Sequence, residues 1–254
     1  MLVSYEREDD IAVVTIQRPD RRNAVDAPTA QALLEAFERF ESDDAKVAVL
    51  QGAGGYFCAG ADLKALAEGE RKPVRETGIA PMGPTRLQLS KPVIAAIEGH
   101  AVAGGMELAL WCDLRVVAEN AVFGIFCRRF GVPLIDLGTI RLPRLIGQSR
   151  ALDLILTGRP VSATEAIEIG LANRTAEPGQ ALKEAKRLAR EIAAVPQLCM
   201  KNDRATVYAQ WDLTTEEALK HEIRKGLETI ASGETLAGAG NFASGAGRHG
   251  GAVT

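Results

Sequence analysis

Three apolar runs constrain this chain more than any other feature in it. Val47-Ala48-Val49-Leu50, Val93-Ile94-Ala95-Ala96-Ile97 and Leu114-Arg115-Val116-Val117-Ala118 are short and nearly continuous in buried-type residues. Strands of that kind belong to sheets covered on both faces. Between them lies helix-forming sequence rather than hairpin turns. Asp26 and Pro28 mark a helix start, and Leu33, Leu34, Phe37 and Phe40 then recur at helical spacing to about residue 42. Strand, loop, helix and strand in this rhythm predict a parallel α/β core with crossover connections.

Upstream, residues 2–6 and Ile11-Ala12-Val13-Val14-Thr15-Ile16 read as two more strands around the acidic turn Glu8-Asp9-Asp10. Beyond residue 140 the pattern turns helical. Ser162 and Glu165 have capping-box spacing, and Gly170 is placed to stop that helix. Leu182, Ala185, Leu188, Ala189 and Ile192 share one helical face ahead of Pro196, and Thr214 with Glu217 opens the next helix. The expectation is a strand-rich first two thirds and an all-helical last third. Residues 69–84, broken by Pro and Gly, read as a mobile segment, and the Gly- and Ala-rich residues 237–254 as a loose tail. No internal repeat is visible.

Composition narrows the function classes. The 254 residues carry 30 Lys and Arg against 33 Asp and Glu, a net charge of -3. That balance excludes the basic stripe of a nucleic-acid binder and the polybasic patch of a membrane-surface protein. Cys58, Cys112, Cys127 and Cys199 are widely spread without a CxxC pair, so neither a zinc site nor a disulfide framework is expected. The charged start, Met1 to Asp10, does not read as a signal peptide, and no apolar run is long enough to span a membrane. The expected location is cytoplasmic.

Two glycine-bearing loops follow strands: Phe57-Cys58-Ala59-Gly60-Ala61-Asp62-Leu63, and Gly99-His100-Ala101-Val102-Ala103-Gly104-Gly105-Met106-Glu107. Each leads into helix-compatible sequence, which leaves backbone N–H groups without intrahelical acceptors. Two such ends side by side can hold one developing oxyanion. Glu107, in the first helical turn beside them, can move a proton to or from the neighbouring carbon. Each feature also has a plainer reading: a packing device for the glycines, a dipole-favoured first-turn acid for Glu107. A dinucleotide fingerprint at Gly52-Ala53-Gly54 fails because Phe57 stands where a third glycine is required.

Taken together and in order, these motifs resemble the crotonase, or enoyl-CoA hydratase/isomerase, family over residues 2 to about 230. The resemblance rests on Arg18-Pro19-x-x-Arg22-Asn23-Ala24, on both loops, and on Gly104-Gly105-Met106-Glu107-Leu108-Ala109. Cys112-Asp113-Leu114-Arg115, Gly138-Thr139, Arg141-Leu142-Pro143-Arg144-Leu145-Ile146-Gly147 and Leu156-Thr157-Gly158 extend it, as do Ala166 and Gly170-Leu171. It implies a crotonase-like α/β fold of repeated ββα units in two roughly perpendicular sheets over residues 1–195. A helical trimerisation region with a Gly/Ala-rich tail would follow over 196–254. It implies action on an acyl-CoA thioester through an enolate, in fatty-acid or related metabolism, as a homotrimer or a dimer of trimers. By motif position Ala61 and Gly104 would donate the oxyanion-hole N–H groups. Glu107 would be the acid/base, and Arg22, Ala24, Ala59, Asp62 and Leu63 would contact coenzyme A. No metal or other cofactor is implied, because coenzyme A is part of the substrate.

The sequence departs from the family pattern at one place. Hydratases of this family use a second glutamate after Phe-Gly-x-Pro, whereas this chain reads Phe123-Gly124-Ile125-Phe126-Cys127, with Cys127 at the glutamate position. Asp136, flanked by Leu134, Ile135 and Leu137, is at the register where dienoyl-CoA isomerases of the family carry a proton-transferring aspartate. It either carries protons or caps the helix starting near Gly138. Cys127 reads as a small buried hydrophobe before a nucleophile, and His100 as a packed histidine before a substrate-orienting one. Met106 lines the acyl pocket or fills core. Arg128 and Arg129 face solvent, or one of them pairs with Asp136 or Glu107. Hydration of a 2-enoyl-CoA, double-bond isomerisation without hydration, and non-catalytic acyl-CoA binding are the three functions that remain.

Overall fold

The structure is a computed structural model that describes residues 1–69 and 74–245. Its strands are β1 (Val3–Glu8), β2 (Ile11–Ile16), β3 (Val47–Gly52), β4 (Val93–Ile97), β5 (His100–Val102), β6 (Leu114–Ala118), β7 (Val122–Gly124), β8 (Pro160–Ser162) and β9 (Arg174–Ala176). Its helices are α1 (Ala27–Ser42), α2 (Leu63–Ala67), α3 (Gly104–Trp111), α4 (Gly138–Ile146), α5 (Gln148–Thr157), α6 (Ala163–Glu168), α7 (Ala181–Ala194), α8 (Gln197–Ala209), α9 (Thr215–Ala231) and α10 (Glu234–Ala243). The chain forms two compact units, one running to Ala189 and the other starting at Arg190.

The first unit contains two sheets. The larger has the order β1-β2-β3-β4-β6-β9, with β1 antiparallel to β2 and every later pairing parallel. The three apolar runs are its centre, as expected of strands covered on both faces. Leu33, Phe37 and Phe40 of α1 are fully buried with them. The smaller sheet, β5-β7-β8, is built from three-residue strands. Between β5 and β6 runs α3, apolar on every side except at Glu107 and buried from Gly105 to its end. A helix that is apolar all round belongs in a core, and it carries its one carboxylate there with it. Arg115 is likewise buried in β6, where its guanidinium donates to the carbonyls of Leu171, Ala109 and Cys112.

Four expectations need correction. The last third is not all helical, because β8 and β9 lie in it and each closes an edge of a sheet. Ser162 accepts the N–H of Glu165, but the Glu165 carboxylate binds Arg159 instead of completing a capping box. Thr214 and Glu217 do form one. Residues 234–243 are helical, since alanine outweighs the scattered glycines there; of the expected tail, residues 246–254 lie outside the described residues. Residues 70–73 of the expected mobile segment also lie outside them; residues 69 and 74–78 are exposed, whereas Ala80, Met82, Gly83 and Pro84 at its end are buried, with Thr85 just beyond. That stretch is part of the packed wall described next.

Candidate functional site

The first loop is threaded between two neighbours. Asn23, fully buried and at φ 56°, donates through its side-chain amide to the carbonyls of Ala53 and Tyr56. Its side-chain oxygen accepts the N–H of Arg18. That brings residues 22–25 alongside the loop, where Ala59 N donates to Arg22 O, Val25 N to Gly60 O and Asp62 N to Val25 O. On the other side Cys58 N donates to His100 O and Val102 N to Cys58 O. The two glycine loops therefore lie against each other. Gly60, at φ 89°, makes this possible: a Cβ there would stand 2.9 Å from Gly104 N and from Ala103 Cβ. Ala103 itself is held at φ 53° and ψ -126°, a strained conformation that costs on the order of 1–3 kcal/mol and is typical of functional sites.

This threading leaves two amides unused. Ala61 pairs with Val25 through its neighbours' N–H and C=O groups, not its own N–H, and Gly104 is the first residue of α3, where an N–H has no intrahelical acceptor. Among the described residues neither N–H donates to a protein group.

The carboxylates are built from a second set of contacts. Glu107, 3% exposed, accepts at Oε1 the N–H groups of Asp136 and Gly138, each at 2.9 Å. Leu137, at φ 69°, turns the chain so that both N–H groups reach the same oxygen. Glycine at 138 leaves room for the carboxylate, because a Cβ would lie 2.8 Å from Glu107 Cγ and Oε1 and push it aside. Asp136 is also buried; its Oδ1 accepts the N–H of Met82 at 3.0 Å and the hydroxyl of Thr85. Arg141 donates to the carbonyls of Asp136 and Thr85, at 3.2 and 2.8 Å. Burial, and after it the Asp136 charge, push Glu107 up to about 7. Burial also raises Asp136, against the pull of Thr85, the Met82 N–H, Arg86 and Arg141.

A cavity of about 510 Å³ joins these parts. Ala61, Gly104, Glu107 and Asp136 line it, and so do Ala59, Asp62 and Leu63. Arg22 and Ala24 do not: Arg22 is exposed with its guanidinium over the Tyr56 ring, and the Ala24 carbonyl is taken by Arg18. Asp136 does not cap α4, whose N-cap residue is Leu137 with no side-chain bond. Cys127 lies in the cavity wall, and burial followed by the Glu107 charge raises its thiol, which keeps it neutral. Arg128 and Arg129 bind the carbonyls of Ile155 and Gly158, so neither pairs with a site carboxylate. Met106 fills core outside the cavity wall, and His100 belongs to β5 with Nδ1 buried and unpartnered. Sequence reasoning missed Met82 and Thr85. Met82 stands in the stretch read as mobile and Thr85 just beyond it, and no local pattern announces a bond to a residue more than fifty positions away. Among the described residues no group of three or more His, Cys, Asp or Glu is placed to hold a metal ion, and no helix is long and apolar enough to cross a membrane.

Comparison with known proteins shows the family and the fold. The sequence model of the enoyl-CoA hydratase/isomerase family matches residues 6–244. Enoyl-CoA hydratase EchA19 of Mycobacterium tuberculosis is 35% identical over 94% of this chain and 92% of its own length. Carnitinyl-CoA dehydratase of Salmonella arizonae is 38% identical over 87% of this chain and 85% of that protein. Among solved structures, an enoyl-CoA hydratase from M. tuberculosis H37Rv superposes with a TM-score of 0.89 at 38% identity, covering 96% of both chains.

Proposed function

Because the chain belongs to the enoyl-CoA hydratase/isomerase family, we propose that it acts on an enoyl-CoA thioester through an enolate held by the Ala61 and Gly104 amides, with Glu107 and Asp136 as proton carriers. One observation carries this reading: two unbonded N–H groups and two buried carboxylates line a single cavity. A thioester carbonyl oxygen seated between the amides gains charge as the enolate forms. Donors fixed in a dry site stabilise that charge by about 2.7–4 kcal/mol each.

The carboxylates divide the proton work. Burial, and after it the Asp136 charge, favour the protonated form of Glu107, which suits Glu107 to give a proton and Asp136 to take one. In hydration Asp136 takes a proton from water as its oxygen bonds to C3 of the substrate. The double-bond electrons move into the enolate, and Glu107 delivers its proton to C2. Cys127 in the wall favours a second reading, isomerisation, in which a proton moves between C2 and C4 and no water is bound. The spectrophotometric assay with crotonyl-CoA separates them, since hydration removes the conjugated absorbance and isomerisation does not. Tight binding of acyl-CoA with turnover untouched by Glu107→Gln on every thioester tried would make the protein a binder instead.

The same reading places coenzyme A along Ala59, Asp62 and Leu63, with Arg22 and Ala24 at the cavity's outer approach. It assigns assembly into a trimer or dimer of trimers to the C-terminal region, residues 196–254, whose described part is mostly helical. Leu219, Ile223, Leu227 and Ile230 support this: they form an exposed apolar stripe on α9. Sedimentation analysis tests it. Cytoplasmic action in acyl-CoA metabolism completes the proposal.

A further inference from the structure

Arg18 is absent from the cavity wall, yet it binds three groups that shape it. Its Nη2 lies 2.8 Å from Asp26 Oδ2 and 3.0 Å from Asp62 Oδ2, and its Nη1 donates to the Ala24 carbonyl. The cluster is largely buried, with side-chain exposures of 14% for Arg18 and Asp26 and 6% for Asp62. Both aspartates line the cavity. Each also accepts N–H bonds from the first turn of a helix, Asp26 from Thr29 and Asp62 from Lys64 and Ala65. Asp62 is the residue directly after Ala61, and Ala24 directly precedes Val25, whose N–H and C=O hold the loop on either side of Ala61. One guanidinium thus fixes both edges of the strand pair that presents the Ala61 amide. It also offsets part of the negative charge of two aspartates that line the cavity in which an anion is to form. Without it, those charges would oppose that anion across a poorly screened space.

We propose that Arg18 is a positioning residue for the enolate site, aiming the Ala61 amide through Ala24 and Asp62 and offsetting one of the two charges of the cavity-lining aspartates, which would repel the enolate. This rests on the oxyanion-hole reading above. A bidentate fork suits the task, since it satisfies two carboxylates and a carbonyl in one plane, which an ammonium does not.

The test uses acetoacetyl-CoA, whose enolate absorbs in the near ultraviolet, bound to the full-length protein and titrated with pH. The wild type should lower the midpoint of enolate formation below that of the free probe. Arg18→Met should raise the bound midpoint by about one pH unit, a tenfold weaker hold on the anion. Adding Asp26→Asn and Asp62→Asn to Arg18→Met should recover at least half of that shift, because asparagine still caps both helices and carries no charge. Asp26→Asn alone, in the native background, should lower the midpoint, because it removes one charge and leaves the Arg18 links to Asp62 and Ala24 in place; this keeps the proposal open to refutation if Arg18→Met does not fold. An unchanged midpoint in Arg18→Met, no recovery in the triple variant, or a midpoint that Asp26→Asn leaves unmoved or raises would overturn the role of Arg18 while the wild-type band stands. A wild type that leaves the midpoint at the value of the free probe would overturn the oxyanion-hole reading itself, and this inference with it.

Discussion

Glu107 Oε1 accepts the backbone N–H of Asp136 at 2.9 Å, so the main chain that carries one carboxylate is the cradle of the other. The side chain of Asp136 faces the same cavity and turns its Oδ1 to Met82 and Thr85. Two acids that share a buried space cannot both ionise freely. Their electrostatics and their geometry are therefore one problem, and the experiments below perturb it from different sides.

Glu107→Gln should lower turnover on the best enoyl-CoA by about 10²- to 10⁴-fold, the usual worth of a positioned acid/base. Its effect on stability should have the opposite sign. Glu107 is pushed from 4.5 to about 7 on folding, so the folded state holds more protons than the unfolded one between those values, and wild-type stability falls as pH rises through that window. Glutamine has no such loss and still accepts both N–H bonds. The variant should therefore gain on the wild type by up to about 3 kcal/mol between pH 5 and 8, as read by denaturant unfolding at the two pH values. A difference that does not change with pH would contradict the buried, raised carboxyl.

Asp136→Asn separates the two acids. Turnover on enoyl-CoA should fall by about 10²-fold, because one of two proton carriers is gone. Loss of the Asp136 charge should also bring Glu107 down from about 7, moving the pH midpoint of any Glu107-dependent rate to lower pH. Thr85→Val should act the other way on Asp136, removing a hydroxyl that favours its ionised form, and Thr85→Ser should restore the wild-type profile. The pH–rate curves of the three variants check all of this. Identical curves would show that Asp136 takes no part.

Gly138→Ala places a Cβ 2.8 Å from the Glu107 carboxyl. The clash should cost about 1–3 kcal/mol of stability and displace Glu107 from its two donors, so kcat should fall more than KM rises. Wild-type kcat in a folded Gly138→Ala protein would show that the cradle is not needed.

The legible parts of this molecule are those whose signal is local. The edges of β2, β4 and β6 coincide with their apolar runs, because a fully buried strand carries its own composition. Asp26 and Thr214 announce helix starts by accepting N–H bonds from the first turn, and Glu217 by reaching back to Thr214 N. The three-residue strands β5, β7, β8 and β9 were illegible, since a period of two cannot register in so few residues. In the site, Glu107 stands out as the one acid in an apolar helix, and Asp136 as an acid between aliphatic neighbours. Thr85 and Met82 do not stand out, and Arg18 does so only as part of a motif and not by its partners, because these roles arise only where distant segments meet.

Exchange of the C2 hydrogens of a saturated acyl-CoA in heavy water tests the central claim most directly, because it needs only the amide pair and one base. The wild type should catalyse exchange, at a rate that climbs as pH passes about 7 and Glu107 becomes able to take the proton, and Glu107→Gln should abolish it. A wild type that binds the thioester yet exchanges no C2 hydrogen, or exchange that survives in Glu107→Gln, would contradict the account.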